Sequence, residues 1–394
     1  MKILLISSVL PRNTSGGEVI LYRHFSQVPG LNLAIATDSD AKDLPADEII
    51  PIQENQILVR FTRTRFGKLA HGIRQFANSF SAAPIKQYIK HQKPDLIVTV
   101  AHGELCWLAQ QIAQTFNITL VTFFHDWWPD LAYVYSWMRG SLTWKFKQLY
   151  QSSQLAFCVS EEMKSALGIH SNSQVLFPIP ENSIPEKFTL KQSISLSKQK
   201  NRFVIVYSGS LAGIYGPMMQ ALSLLLQHKS DVQLKLFGPR PDWPDCMVEE
   251  MCDRGIYGGF IARDLLEHEL GYADALLVAM SFDERDRKRM KTSFPSKLVD
   301  YCQFGKPIII WGPDYCSAVS WGNREQIALV VTSPLVEGLA EAIGTLKTQP
   351  EKQQHLGNRA LEMARKMFDS TKIQHQFTQN LYQISSANFD YNPH

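Results

Sequence analysis

Thr292-Ser293-Phe294-Pro295-Ser296-Lys297-Leu298-Val299-Asp300-Tyr301-Cys302-Gln303-Phe304-Gly305-Lys306-Pro307, followed by the apolar run 308–311, reads as loop, helix, turn and buried strand. Pro295 suits the first turn of a helix, where its missing N–H costs nothing. Gly305 suits the left-handed residue that ends one, and Lys306-Pro307 leads into the strand. The helix therefore starts at Ser296-Lys297. Its free N–H groups and the adjacent ammonium make a seat for a diphosphate. Asp300 lies one turn further on, on the same side as Ser296 and Lys297, where a carboxylate can accept hydrogen bonds from ribose hydroxyls. The plain alternative is an amphipathic helix with an ordinary cap.

The whole chain has room for this helix in a second domain. Its 394 residues, 45% hydrophobic and 20% charged, are too many for one ordinary core and fit two globular domains. A net charge of +3 is too small to argue for nucleic acid, so the placement of charge matters more than its sum. The six cysteines show no CxxC pair, as in reduced, mostly buried cysteines of a cytoplasmic protein. The apolar start, Met1 to Ile6, is too short for a signal peptide, and no run approaches the roughly 20 apolar residues of a membrane span.

Working outward, residues 2–8 read as a buried parallel strand, and 11–17 as a loop opening a helix. Gly16 and Gly17 in that turn allow close backbone approach to an anionic group, although such a turn is often only a turn. Residues 31–37 form the second strand and 38–54 a polar loop. From Asn55 to Pro94 there is no acid. Eight cations, Arg60, Arg63, Arg65, Lys68, Arg74, Lys86, Lys90 and Lys93, alternate there with aromatic residues. This composition suits an anionic membrane surface or a plain solvated basic face better than nucleic acid. Residues 131–150 are also acid-free and carry further tryptophans, which widens the basic apolar surface.

The strand at 118–124 ends in His125-Asp126-Trp127-Trp128-Pro129-Asp130. Active residues of open parallel sheets sit just past the carboxyl ends of strands, so His125 and Asp126 are candidates for catalysis, with the tryptophans as sugar or acceptor contacts. A lone histidine is more often structural. Strand and glycine turn recur at 202–209, and Gly258-Gly259-Phe260-Ile261 forms another turn. Residues 285–291 read as a mobile, basic, solvated run.

In these segments the sequence resembles the GT-B glycosyltransferases, in particular retaining family 4. Many of those enzymes carry Pro-Ser/Asn-Lys-hydrophobic-x-Asp/Glu-Tyr, then Gly-Lys/Arg-Pro, in the nucleotide-sugar domain. The resemblance implies an α/β fold of two Rossmann-like domains facing each other across a cleft. The acceptor domain would be 1–180, the linker 181–201 and the nucleotide-sugar domain 202–368, with a last helix in 369–394 crossing back. It implies that Ser296, Lys297 and Asp300 hold the donor, as do Gly209 and Ser210 in the phosphate turn and Phe260 and Ile261 through the backbone at the nucleobase. Three positions depart from the family pattern. Ser210 and Tyr215 stand where the family places arginine and lysine, and Thr292 stands where it places a sugar-contacting glutamate. Arg285, Arg287, Lys288, Arg289 and Lys291 could supply the missing charge.

The implied function is transfer of a sugar, hexosyltransferase-like, from a nucleotide diphosphate donor to a hydroxyl of a glycan, lipid-linked or small-molecule acceptor. Retention is the family precedent, and polysaccharide biosynthesis a fitting context. No metal or other cofactor is expected. Alternatives are a catalytically silent nucleotide-sugar binder, made credible by the three departures, and a sugar-nucleotide epimerase. The expected location is cytoplasmic, peripheral to an anionic membrane through 55–94, with no nucleic acid partner.

Overall fold

The computed structural model describes residues 1–14, 16–77, 79–180 and 202–386; the expected linker 181–201 and the last residues, 387–394, lie outside the described residues. Internal contacts divide the chain into two units. The first takes 1–179, 292–294 and 371 onward, and the second takes 180–291 and 295–370.

The first unit is built on a parallel sheet of β1 (Lys2–Ile6), β2 (Asn32–Thr37), β3 (Glu48–Pro51), β4 (Leu96–Val100), β5 (Thr119–Phe124), β6 (Leu155–Cys158) and β7 (Ser173–Val175), in the order β3-β2-β1-β4-β5-β6-β7. Ile3 to Ile6 and all of β4 and β5 are buried, so these strands read as continuous apolar runs, as expected of a sheet covered on both faces. Helices α1 (Gly16–Phe25), α2 (Gln56–Thr62), α3 (Gly67–Phe76), α4 (Ala83–Gln92), α5 (Leu105–Phe116), α6 (Trp128–Leu131), α7 (Arg139–Ser152) and α8 (Glu161–Leu167) connect the strands. The polar loop expected at 38–54 contains β3. This edge strand buries only Ile50 and so leaves no apolar run to be read.

The second unit has the parallel order β12-β11-β10-β8-β9, from β8 (Phe203–Ser208), β9 (Val232–Phe237), β10 (Ala275–Ala279), β11 (Ile308–Trp311) and β12 (Ala328–Val331). Around it lie α9 (Gly216–Leu226), α10 (Asp245–Asp253), α11 (Arg263–Tyr272), α12 (Arg287–Thr292), α13 (Ser296–Cys302), α14 (Ser317–Glu325), α15 (Val336–Lys347) and α16 (Pro350–Lys366). The basic run expected to be loop is a 3-10 turn followed by α12. Arg285 pairs with Asp283, and Arg287 pairs with Glu284 and lies 4.0 Å from the centre of the Tyr315 ring. The neighbouring acids offset part of the charge considered for the donor.

The last helix, α17 (Ser370–Ser386), packs into the first unit. Its Phe377 lies among Phe25, Phe123 and Phe157, with ring centres 5.6–5.9 Å apart, and Gln374 Nε2 donates to the His24 carbonyl at 3.0 Å. Truncating Phe377 to alanine would cost about 3–5 kcal/mol, the range for an emptied aromatic site.

Candidate functional site

The second unit assembles its candidate site from three turns at the carboxyl ends of β8 and β9. Gly209 N–H donates to the Phe237 carbonyl at 2.8 Å, and Gly238 N–H donates to the Gly259 carbonyl at 3.0 Å. Gly209 (φ +144°) and Gly238 (φ +155°) both hold positive φ, and a Cβ on Gly238 would lie 2.0 Å from the Gly209 carbonyl oxygen. Only residues without a side chain permit this approach. It brings the 258–261 turn beside the Gly209 turn, with Phe260 80% exposed at its tip.

α13 enters the same place. Pro295 precedes it without a side-chain cap, and Leu298, Val299, Tyr301 and Cys302 bury its inner face. This leaves Ser296, Lys297 and Asp300 half-buried on the outer side. Lys297 Nζ donates to Tyr207 Oη at 3.2 Å and lies 4.5 Å and 5.9 Å from the ring centres of Tyr207 and Tyr215. A Cβ on Gly209 would come within 1.9 Å of that Nζ, so the ammonium rests on the glycine turn itself. Lys297 and Asp300 line one small cleft with Ser208, Arg263, Tyr301 and Phe304. The arrangement can neutralise a phosphate at one end and accept hydroxyl hydrogen bonds at the other. Ser210 is exposed on the turn.

Three contributors escaped sequence reading. Tyr207 belongs to an apolar run and Tyr301 appears only as part of the helix motif, and nothing in the sequence reveals what their hydroxyls bond. Tyr301 Oη accepts from the Ser208 N–H at 2.9 Å, which ties α13 to the end of β8. Burial pushes the Tyr301 hydroxyl up, with Lys297 pulling the other way. Arg263 follows the turn at Ile261 and brings a second cation to the cleft, where its Nε donates to Glu267 at 2.9 Å.

The first unit brings Gly16 and Gly17 together with His125. Gly16 has φ +53°, and a Cβ on Gly17 would sit 3.4 Å from His125 Nδ1, so the imidazole faces the start of α1. Nδ1 is buried with no hydrogen-bond partner among the described residues. Burial lowers the His125 pKa to about 4 against the pull of Asp126, with His102 lowering it further. The ring is therefore neutral at physiological pH. Fully buried His24 lies behind it, its pKa lowered to about 3 by burial and then by His125. His24 falls on the apolar face of α1 with Leu21 and Phe25, so sequence pattern gave no signal beyond core. Trp127, read as a sugar or acceptor contact, is 3% exposed and packs on Phe146: it is a core residue. Trp128 ties to Gln75 through its Nε1–H at 3.1 Å, beside His102. Thr292 is wholly buried, and its carbonyl accepts from Ser160 Oγ at 2.6 Å.

Residues 21–171 match the family described as Glycosyltransferase Family 4. No curated protein matches the chain at the sequence level. Among solved structures, HepE of Anabaena in complex with UDP is 16% identical, with 97% of this chain and 100% of that chain covered and a TM-score of 0.68. The sucrose-phosphate synthase of Thermosynechococcus elongatus is 14% identical, over 98% and 99% of the two chains, at 0.67. WaaG, a glycosyltransferase involved in lipopolysaccharide biosynthesis, is 14% identical, over 96% and 98%, at 0.61. The fold is that of the GT-B glycosyltransferases, with two Rossmann-like domains. Within it, the matched part of the first unit carries the sequence pattern of family 4.

Proposed function

We propose that the protein transfers a sugar from a nucleoside diphosphate donor to a hydroxyl of a glycan, lipid-linked or small-molecule acceptor, with retention at the anomeric carbon. The observation that carries this reading is Lys297, an ammonium resting on the Gly209 turn in one cleft with Asp300. In this reading Lys297 and the N–H groups at Ser296 and Ser210 stabilise the departing diphosphate, a role that requires no metal cofactor of the protein. Asp300 holds the ribose, and the backbone at Phe260 and Ile261 receives the base. His125, kept neutral and supported by Asp126, contacts the transferred sugar or the acceptor hydroxyl, since a neutral imidazole can both donate and accept. Gly16 and Gly17 admit the donor close to that ring. Peripheral attachment to an anionic membrane through the cations of 55–94, on the cytoplasmic side, would bring a lipid-linked acceptor within reach.

HepE is described in complex with UDP and with UDP-glucose, which makes uridine diphosphate the first nucleotide to test. The test is calorimetry with UDP and the other common nucleoside diphosphates, followed by donor turnover with acceptor extracts. Failure of every nucleotide to bind would sink the reading. Tyr215, whose ring lies against Lys297 where the family places lysine, favours a second reading, a silent nucleotide-sugar binder. That protein would bind UDP and turn over no donor. Alteration of a sugar nucleotide with no acceptor present would instead identify an epimerase.

A further inference from the structure

The acid-free segments at 55–94 and 131–150 meet on one surface of the first unit. Gly72 of α3 is one point where they meet: a Cβ there would lie 2.3 Å from Met138 Cε, so the methionine of the 136–138 turn packs directly on the helix backbone. Tyr133, Tyr135 and Trp137 cluster there around Lys68, and the two segments expose further rings. Trp137 is 71% exposed, Trp144 65% and Tyr133 64%, with Tyr135, Phe66 and Phe76 also open to solvent. Tyr135 and Trp137 stack with centres 6.3 Å apart, and the Lys68 ammonium lies 5.4 Å and 5.7 Å from the Tyr133 and Tyr135 rings. Lys145 lies 5.6 Å from Phe76.

Not every cation of the stretch serves this surface. Arg74 is largely buried, ion-paired with Glu54 and with Glu104. Arg60, Arg63, Arg65 and Arg139 are exposed. A water-facing surface rarely carries so many open rings together, and cations without intervening acids complement a negative partner. Tyrosine and tryptophan, apolar in body and polar at one edge, favour the headgroup level of a bilayer. A bound sugar chain would need free ring faces. Here Lys68 lies over two of the rings, and Tyr135 and Trp137 face each other.

We propose that the rim formed by Phe66, Phe76, Tyr133, Tyr135, Trp137 and Trp144 enters the interface of an anionic lipid bilayer, and that the neighbouring arginines only steer and hold it there. This rests on the membrane attachment proposed above and changes its nature: the contact is insertion of rings as well as attraction between charges. The donor site plays no part in it.

The test uses the full chain with three probes: phosphatidylcholine vesicles, the same vesicles containing phosphatidylglycerol, and dextran sulfate as a soluble polyanion. Of the eight tryptophans, Trp137 and Trp144 are the exposed ones, so quenching of emission by brominated acyl chains reports on the rim. The expected result is binding to the anionic vesicles with quenching. The double variant Trp137→Ser, Trp144→Ser should lose the quenching and bind about tenfold more weakly, while UDP affinity and thermal stability stay unchanged. Binding without quenching, equal in the double variant, overturns the insertion and leaves the charge-only attachment standing. Absence of vesicle binding overturns both. Binding to dextran sulfate at least as tight as to anionic vesicles overturns the bilayer in favour of an anionic glycan.

Discussion

In the first unit the glycine turn after β1 faces an imidazole kept neutral by burial, whereas in the second the glycine turn after β8 faces an ammonium. The same device, a parallel strand ending in a turn without side chains, is completed by opposite electrostatics. A fixed positive charge on a backbone turn suits a diphosphate, which must be held in both ground and transition state. A neutral donor and acceptor suits a hydroxyl or a sugar, whose charge changes only as the bond breaks. This division of labour can be broken one residue at a time. The largest effect is expected at His125. His125→Ala should lower transfer roughly 100-fold, the scale of one acid–base or positioning group, while UDP affinity stays within about two-fold. Wild-type transfer by this variant would end the assignment, and loss of the fold would show a core histidine instead.

Lys297→Ala probes the other half. A charged hydrogen bond is worth roughly 1.5–3 kcal/mol, so UDP affinity should fall by about ten- to a hundred-fold without unfolding, because the ammonium sits at a cleft and not in the core. Calorimetry returning the wild-type affinity would move the diphosphate elsewhere, with Arg263 the next cation in the same cleft.

What the sequence makes legible follows from the range of the forces involved. Buried parallel strands and the Pro295-to-Gly305 helix are local patterns, and the structure places β11 and α13 where those patterns put them. That Ser296, Lys297 and Asp300 share a side is legible because residues three and four apart on one helix face the same way. The Tyr207–Lys297 and Tyr301–Ser208 contacts join residues about ninety positions apart and leave no periodic trace. Trp127 misled for the opposite reason: a tryptophan beside a histidine at a strand end looks like a binding face until the burial of its ring is known. The helical run 287–292 looked like loop because its charges dominate, although Asp283, Glu284 and Asp286 precede it to offset them.

The histidines sharpen the comparison through pH, because burial in the first unit holds two imidazoles neutral where the unfolded chain would protonate them. His24 has its pKa lowered from 6.5 to about 3, and His125 to about 4. As pH falls through 6.5, the unfolded chain takes up protons that the folded chain refuses. Stability conferred by these groups is therefore lost on going from about pH 7 to about pH 5, by roughly 2 kcal/mol for His24 and less for the partly exposed His125. His24→Phe should flatten the dependence of the unfolding midpoint between those two values, and an unchanged slope would refute the burial argument.

The smallest effect, and the most discriminating within the second unit, is expected at Asp300. It shares a helix face and a cleft with Lys297, yet the two should answer to different parts of the donor. In the proposed reading Lys297 meets phosphate, so its removal should weaken UDP far more than uridine. Asp300 lies one helical turn further from the glycine turn, where a carboxylate can accept from the ribose hydroxyls. A hydrogen bond of this kind to a group in contact with water contributes about 1–1.5 kcal/mol, so Asp300→Ala should weaken uridine and UDP alike by roughly tenfold. Asp300→Asn keeps the shape and one acceptor oxygen, and should recover part of the loss. Competition binding with uridine, UMP and UDP on the two single variants gives the decisive pattern: parallel losses for Asp300→Ala, and losses growing with phosphate number for Lys297→Ala. If Asp300→Ala weakened UDP alone, the carboxylate would be acting on the phosphate end of the cleft, and the ribose would need another partner.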